Sequence, residues 1–131
     1  MEGIFLLDTH AFLWAMTGSS QLSQRVKRLF AEPDIRLLLS AASVWEIALK
    51  AAKGKISAPG PVVDEAIEGF RIRELPIRRM HVRKASDLPA VEGHKDPFDR
   101  LIAAQAISER VPLITNDRSL TRHYPQLATF W

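Results

Sequence analysis

The sequence predicts an α/β protein, a three-layer α/β/α sandwich around a central, mostly parallel sheet of four to five strands. Short apolar runs that do not alternate with polar residues recur along the chain, which is typical of strands covered on both faces. Segments with apolar residues at helical spacing lie between these runs. Strands that alternate with helices favour right-handed crossovers and a parallel sheet. With 131 residues, 47% of them hydrophobic, the chain is expected to form one domain over residues 1–131.

The strands are expected in order at residues 4–7 (Ile-Phe-Leu-Leu), 36–39 (Arg-Leu-Leu-Leu), 72–77, 111–115 and 129–131. The helices are expected at residues 10–16, 23–32, 44–53, 61–70, 78–88 and 97–110. In the third of these helices, Val44, Ile47, Ala48 and Ala51 repeat at the spacing of one helical face. The glycine- and proline-rich segment 53–61 connects two helices within the domain.

Composition excludes several classes of function. The chain has no cysteine, so disulfides, thiolate zinc sites and cysteine nucleophiles are absent. The net charge of +3 and the sequence pI near 9.6 favour polyanionic partners such as nucleic acid. The sequence shows neither the pattern of a secretory signal nor an apolar stretch long enough for a membrane span, and a cytoplasmic protein is therefore expected.

Acidic residues follow two of the predicted strands directly. Asp8 comes after strand 4–7, and Asp117 comes after strand 111–115. Each has an ordinary structural explanation, because Asp8 or Thr9 can cap the following helix and Asn116 with Asp117 can form a turn. Taken singly, neither residue indicates a functional site.

Two further acids lie at predicted helix starts. Glu46 fits a capping box with Ser43 and can also pair with Lys50 one turn later. Asp99 lies in the first turn of a helix that begins with Asp96 as its cap and proline at the first helical position. Local structure can again account for both acids.

The shared location of the four acids, Asp8, Glu46, Asp99 and Asp117, is what indicates a site. All of them fall at the carboxyl edge of a strand or in a helix leaving that edge, where open α/β sheets bind ligands. Four converging carboxylates repel one another unless a cation neutralises them. Oxygen ligands without cysteine favour Mg²⁺ or Mn²⁺, although Ca²⁺ uses the same ligand types.

An acidic metal pocket in a basic protein suits hydrolysis of a nucleic-acid phosphodiester. The sequence contains no Gly-x-Ser-x-Gly elbow, no Gly-x-Gly-x-x-Gly fingerprint and no phosphate-binding loop. The spacing of its four histidines does not predict that they meet in one site, so we assign them no role beyond assisting other residues. Two alternatives stay open at this point, a doubly wound signalling domain in which an aspartate accepts phosphate, and a non-catalytic RNA-binding module.

The motifs that carry a family resemblance are 6–14 (LLDTHAFLW), 43–50 (SVWEIALK), 94–106 (HKDPFDRLIAAQA) and 114–117 (ITND). In order and spacing they resemble the PIN-domain ribonucleases and, more narrowly, the VapC toxins of type II toxin–antitoxin pairs. The resemblance spans essentially the whole chain. It implies a PIN-like fold and a Mg²⁺- or Mn²⁺-dependent endoribonuclease acting on transfer RNA or another structured RNA. It also implies a homodimer inhibited by a cognate, VapB-like antitoxin, possibly within a larger assembly, and no membrane association.

The resemblance also implies roles for individual residues. Asp8, Glu46, Asp99 and Asp117 become the catalytic metal ligands, with Asp99 preferred to Asp96 because Asp99 immediately precedes Arg100 and the Leu-Ile-Ala-Ala segment. The supporting residues are Thr9, Asp96, Thr115 and Asn116. The expected RNA contacts are Arg100, Lys50, Arg79 and Arg83. Trp14 and Trp45 are expected to pack in the core or at a dimer interface, with base stacking as the alternative.

Overall fold

The computed structural model describes residues 3–93 and 96–131. In chain order its elements are β1 (Gly3–Leu7), α1 (Thr9–Thr17), α2 (Gln24–Ala31), β2 (Ile35–Ser40), α3 (Ala41–Ala52), α4 (Gly60–Gly69), β3 (Arg73–Leu75), α5 (Arg79–Asp87), α6 (Pro97–Glu109), β4 (Leu113–Ile114), α7 (Ser119–His123) and β5 (Thr129–Phe130). None of the helices in this part of the chain is long and apolar enough to cross a membrane.

The five strands form one parallel sheet in the order β3-β2-β1-β4-β5. The chain leaves β1 toward β2 on one side and returns to β4 on the other. The order of the strands therefore reverses at β1 and β4, and the carboxyl ends of these two strands border the crevice in which such sheets bind ligands. Asp8 follows β1 and Asn116 follows β4 at this crevice.

The core consists of two layers, one on each face of the sheet. Phe5 and Leu7 of β1 pack into one cluster with residues of α1, α2 and α4, whereas Leu6 between them packs into a second cluster with residues of α6 and α7. Alternation of this kind follows from the pleat of a strand, because successive side chains point to opposite faces. It explains why the strand is apolar without interruption, and it confirms the predicted α/β/α sandwich.

Three strands, β3, β4 and β5, are shorter than the sequence suggested, and a proline adjoins β3 and β4. Pro112 lacks an N–H group, and β4 begins only at the next residue. β3 ends at Leu75, directly before Pro76. The short helix α7 was not predicted. The residues directly before it are polar and were interpreted as a turn.

The expected capping box of α3 is wrong. Ser40, the last residue of β2, caps the helix by accepting a hydrogen bond from the N–H of Ala42 at 3.0 Å, so the helix begins earlier than predicted. Ser43 then lies inside the helix rather than at its start. Glu46 is one turn further on and has no capping role, which leaves its carboxylate available for contacts with other elements.

Candidate active site

A cavity of about 360 Å³ opens at the carboxyl ends of β1 and β4. Three of the four predicted acids, Asp8, Asp99 and Asp117, line it together. The remaining lining residues are His10, Trp14, Ile102, Leu113, Thr115, Asn116 and Leu120. We call this space the carboxylate cavity. Its lining residues come from elements that are far apart in sequence, as the position of the acids along the chain led us to expect.

Asp8 combines a structural role with a place in the cavity. Its Oδ1 accepts a hydrogen bond from the N–H of Ala11 at 2.7 Å and thereby caps α1. Its own N–H donates to the carbonyl of Ile114 at 3.0 Å, which ties the end of β1 to β4. The capping explanation for Asp8 is therefore correct, but it does not exclude a functional role because the same side chain faces the cavity.

Burial raises the pKa of Asp8 above its ordinary value and is the dominant cause of the shift. Hydrogen bonds from Thr115 and Ala11 and the charge of His10 act in the opposite direction, while the neighbouring charge of Asp117 adds to the increase. Hydrogen bonds and charges within the protein therefore do not fully offset the cost of burying the ionised carboxylate of Asp8. A cation in the cavity would favour the ionised form.

Asp117 and Thr115 belong to the turn that follows β4. The Thr115 hydroxyl accepts a hydrogen bond from the N–H of Asp117 at 3.1 Å. Oδ1 of Asp117 accepts from both the N–H and the hydroxyl of Ser119, at 2.9 and 2.5 Å, and so fixes the first turn of α7. Asn116 between them is exposed and also lines the cavity.

Asp96 and Asp99 have different roles at the start of α6. Oδ1 of Asp96 accepts hydrogen bonds from the N–H groups of Phe98 and Asp99 at 2.9 and 3.4 Å, so Asp96 is the helix cap. Asp99 lines the carboxylate cavity, whereas Asp96 does not. The geometry therefore separates the two residues in the way that the motif suggested. His94 and Lys95, which begin that motif, lie outside the described residues.

Glu46 is held away from the cavity wall. It is buried, with 2% of its surface exposed. Its Oε1 accepts a hydrogen bond from the hydroxyl of Thr9 at 2.6 Å, and its Oε2 lies 2.8 Å from Nζ of Lys50. Because the single hydroxyl proton of Thr9 goes to Glu46, the hydroxyl of Ser43, 3.0 Å from that of Thr9, must donate in that pair. Thr9 contacts the carboxylate of Glu46 and is the neighbour in sequence of Asp8, which lines the cavity.

A buried polar network that the sequence did not reveal supports the start of α3. The Ser40 hydroxyl donates to Oε1 of Gln105 at 2.5 Å, and Nε2 of Gln105 lies 3.3 Å from Nδ1 of His81. Nδ1 of His81 also accepts from the N–H of Arg78, so the ring proton lies on Nε2, which donates to Glu109 at 2.9 Å. A glutamine and a histidine at helical positions carry no sequence signal of such a network.

The structure changes the interpretation of two expected RNA contacts. The guanidinium of Arg100 donates to the carbonyls of Ala85, Pro89 and Leu88, where it satisfies the carboxyl end of α5. The prediction that Arg100 contacts phosphate is therefore corrected to a structural role. The ammonium group of Lys50 is likewise engaged by Glu46.

Arg79 and Arg83, the other two expected RNA contacts, are exposed one turn apart on α5.

Of the two tryptophans for which a role was predicted, Trp14 is half-buried at the cavity, and Trp45 is 60% exposed on α3. A core position is therefore wrong for Trp45, whereas a position at a dimer interface stays a prediction.

The cavity contains carboxylate, hydroxyl and amide oxygens from Asp8, Asp99, Asp117, Thr115 and Asn116, and these oxygen donors fit a hard divalent cation; the imidazole of His10 also lines it. Within residues 3–93 and 96–131, no cluster of three or more histidine, aspartate or glutamate side chains has the arrangement of a metal site. One carboxylate oxygen of each of Asp8, Glu46 and Asp117 accepts a hydrogen bond from the protein.

Comparison with known proteins places the chain in a family. The family model of the PIN domain matches residues 5–124. A curated relative, Ribonuclease VapC22 of Mycobacterium tuberculosis, is 31% identical over 128 residues, which are 96% of this chain and 97% of that protein.

Solved structures with the same fold include VapBC2 from Rickettsia felis, bound to a DNA fragment from its promoter, with a TM-score of 0.71 and 19% identity over 97% of both chains. DNA-bound VapBC from Salmonella typhimurium has a TM-score of 0.69 and 19% identity over 99% of this chain and 98% of that one. VapBC-1 from nontypeable Haemophilus influenzae has a TM-score of 0.65 and 22% identity over 97% and 96% of the two chains. These structures confirm the fold. The family model and the 31% identical relative confirm the predicted resemblance: the chain belongs to the PIN-domain family and, within it, to the VapC ribonucleases.

Proposed function

We propose that this ribonuclease is a divalent-metal-dependent endoribonuclease that hydrolyses phosphodiester bonds of a structured RNA such as transfer RNA. The observation that carries the proposal is that Asp8, Asp99 and Asp117 line one cavity at the point where strand order reverses. Family membership supports a nuclease over a phosphate-accepting signalling domain. The exposed Arg79 and Arg83 provide positive charge for an RNA backbone.

Asp8, Asp99 and Asp117 would hold Mg²⁺ or Mn²⁺, and Glu46 would complete the set through rotation of its side chain away from Lys50. A bound divalent ion supplies Lewis-acid stabilisation of phosphate charge and lowers the pKa of bound water. Thr9 orients Glu46 through its 2.6 Å hydrogen bond, and Thr115 orients Asp8. The amide of Asn116, exposed at the cavity, is positioned to hydrogen-bond substrate or water.

Cleavage assays with purified protein and total cellular RNA test the proposal. Wild-type protein should cut RNA with Mg²⁺ or Mn²⁺ and stop when EDTA is added. Asp99→Asn should lose activity by about a thousandfold, because one ligand of the cation is weakened. Asp96→Asn is the matched control, because asparagine caps helices as well as aspartate does, and it should keep most of the activity. Full activity of Asp99→Asn, or of wild type in EDTA, would refute the proposal.

We further propose that a cognate VapB-like antitoxin binds the protein, since the structural relatives named above are VapBC complexes. An apolar groove of about 380 Å³ between α1 and α4 supports this proposal. It is lined by Met16, Ala66 and Gly69, by the exposed side chains of Val62 and Phe70, and by one acidic residue, Glu65. Exposed apolar grooves of this kind commonly bind a partner segment.

The antitoxin is expected to be encoded next to this gene and to present both an apolar segment and a basic side chain, the latter for the carboxylate cavity. Co-expression of the adjacent small gene should yield a complex that co-purifies from the cytoplasm and has no nuclease activity. Val62→Asp should release the antitoxin and restore cleavage, because a charge in the groove opposes apolar contact. Light scattering of the free protein tests the expected homodimer.

A further inference from the structure

The carboxylate cavity is larger than a metal ion needs, and one side of it is aromatic. Its volume of about 360 Å³ falls in the range of pockets that hold small organic ligands. His10 and Trp14 both line it. They lie one turn apart on α1 and therefore on the same face of the helix. We call these two residues the aromatic wall.

The aromatic wall is held in place by its neighbours. The rings of His10 and Trp14 are 5.8 Å apart and tilted by 46°. Trp131 packs edge-to-face against Trp14 at 5.7 Å, and the main-chain oxygen of Trp131 accepts a hydrogen bond from Arg25 at 3.0 Å. The contact with Trp131 therefore holds the ring of Trp14 in place, and the ring is half-buried at the cavity. A preorganised ring of this kind can bind a planar group with little loss of side-chain entropy.

The position of the wall relative to the acids is also fixed. Asp8 caps α1, the helix that carries His10 and Trp14 on its first two turns, so one helix positions the carboxylate and the aromatic rings relative to each other. Asp8 and His10 line the same cavity. A phosphodiester held at the aspartates would therefore bring an adjoining nucleotide to the aromatic wall.

We propose that the aromatic wall stacks a nucleobase next to the scissile phosphate and helps to set which nucleotide is cut. The inference rests on the proposed ribonuclease function. Stacking suits this surface because every base has a flat face and because the exposed His10 adds an edge that can hydrogen-bond beside it. Trp14 and His10 are then positioning residues for the substrate, separate from the carboxylates that hold the cation.

Kinetics on synthetic RNA test the proposal. The oligonucleotides contain the cleavage site mapped with wild-type protein, with each of the four nucleotides placed in turn at the flanking positions. Trp14→Leu should raise KM about tenfold, the effect of losing one stacked base, and should flatten the preference at one flanking position while kcat changes much less. Trp14→Phe should retain both KM and preference. Trp45→Leu, an exposed tryptophan away from the cavity, should behave as wild type.

A second measurement keeps the proposal falsifiable if Trp14→Leu folds poorly, since Trp14 also packs against the core. In the Asp99→Asn background, RNA should quench tryptophan fluorescence, and Trp14→Phe should remove that quenching without weakening binding. Trp45→Phe should leave the quenching intact. His10→Ala, at an exposed position, should raise KM with no change in thermal midpoint.

The outcomes separate the two proposals. Absence of metal-dependent cleavage by wild-type protein refutes the ribonuclease itself. Normal cleavage by wild type, together with unchanged KM and nucleotide preference in Trp14→Leu and His10→Ala, refutes base stacking and leaves the ribonuclease standing. Loss of antitoxin binding in these variants, without any effect on RNA, assigns the aromatic wall to the protein partner and also refutes base stacking.

Discussion

The ammonium nitrogen of Lys50 lies 2.8 Å from Oε2 of Glu46, one turn before it on α3. Glu46 is 2% exposed, so this pair supplies positive charge to a buried carboxylate in the metal-free protein. Any cation that recruits Glu46 must compete with Lys50. The ammonium group of Lys50 is thus engaged by Glu46, and we predict that it weakens cation binding at the proposed site.

Removal of that charge should strengthen metal binding. We expect Lys50→Gln to bind Mn²⁺ about fivefold more tightly, equivalent to the ~1 kcal/mol of a partly exposed ion pair. Titration calorimetry on metal-free protein measures this change. Lys53→Gln, near the end of the same helix, is the control and should have the wild-type affinity. Unchanged or weaker Mn²⁺ binding by Lys50→Gln would show that Glu46 does not belong to the metal site.

The raised pKa of Asp8 predicts a pH dependence of stability. A carboxyl whose pKa is higher in the folded than in the unfolded protein stabilises the fold fully below its ordinary pKa of 3.8, and this contribution is lost as pH rises through the folded pKa. At pH 7, above this ordinary pKa, the carboxyl of Asp8 therefore contributes less stability than it does in acid. Asp8→Asn retains the helix cap and removes the charge.

Asp8→Asn should consequently raise the thermal midpoint of the metal-free protein at pH 7, although it abolishes cleavage. Its midpoint should also fall less than that of wild type as pH rises from mildly acidic values. Calorimetry in EDTA measures both effects, and Asp34→Asn, in an exposed turn, is the control. A lower midpoint for Asp8→Asn at pH 7 would mean that the hydrogen bonds of Asp8 outweigh the cost of burying its charge.

The network around Gln105 predicts a stability defect at a buried residue that does not line the carboxylate cavity. Gln105 is fully buried and contacts Ser40, His81 and the carbonyl of Pro76. Gln105→Ala leaves these groups without their partner and should lower the free energy of unfolding by about 2 kcal/mol. Urea unfolding measures the change, and Gln126→Ala at an exposed position is the control. An unaltered free energy for Gln105→Ala would show that the network contributes nothing net.

The predictability of this site from sequence depends on which contacts orient each side chain. Asp8 and Asp117 directly follow strands, so the parallel sheet alone brings them to one edge. Glu46 could not be placed in this way, because its orientation depends on Ser40 starting the helix early and on a hydroxyl from α1. The role of Arg100 depends on carbonyls at the end of α5 that approach it only in the folded protein. Local patterns therefore predicted positions along the chain better than side-chain partners.

The arginines provide a direct test of that distinction. Arg79 and Arg83 are exposed on α5, so each should contribute a phosphate contact, whereas the guanidinium of Arg100 is occupied by carbonyls. In the Asp99→Asn background, Arg79→Ala or Arg83→Ala should weaken RNA binding and reduce the slope of log K against log salt by about 0.7 to 1. Filter binding over a range of salt concentrations measures both quantities.

Arg100→Ala should behave in the opposite way. Its salt slope should equal that of the parent protein, because no phosphate contact is removed. Its free energy of unfolding should fall by about 1–3 kcal/mol, because the carbonyls of Ala85 and Leu88 lose their donor at the end of α5. A reduced salt slope with wild-type stability would instead return Arg100 to the RNA-binding surface. A binding curve and a urea titration of the same variant thus decide whether this arginine serves the fold or the substrate.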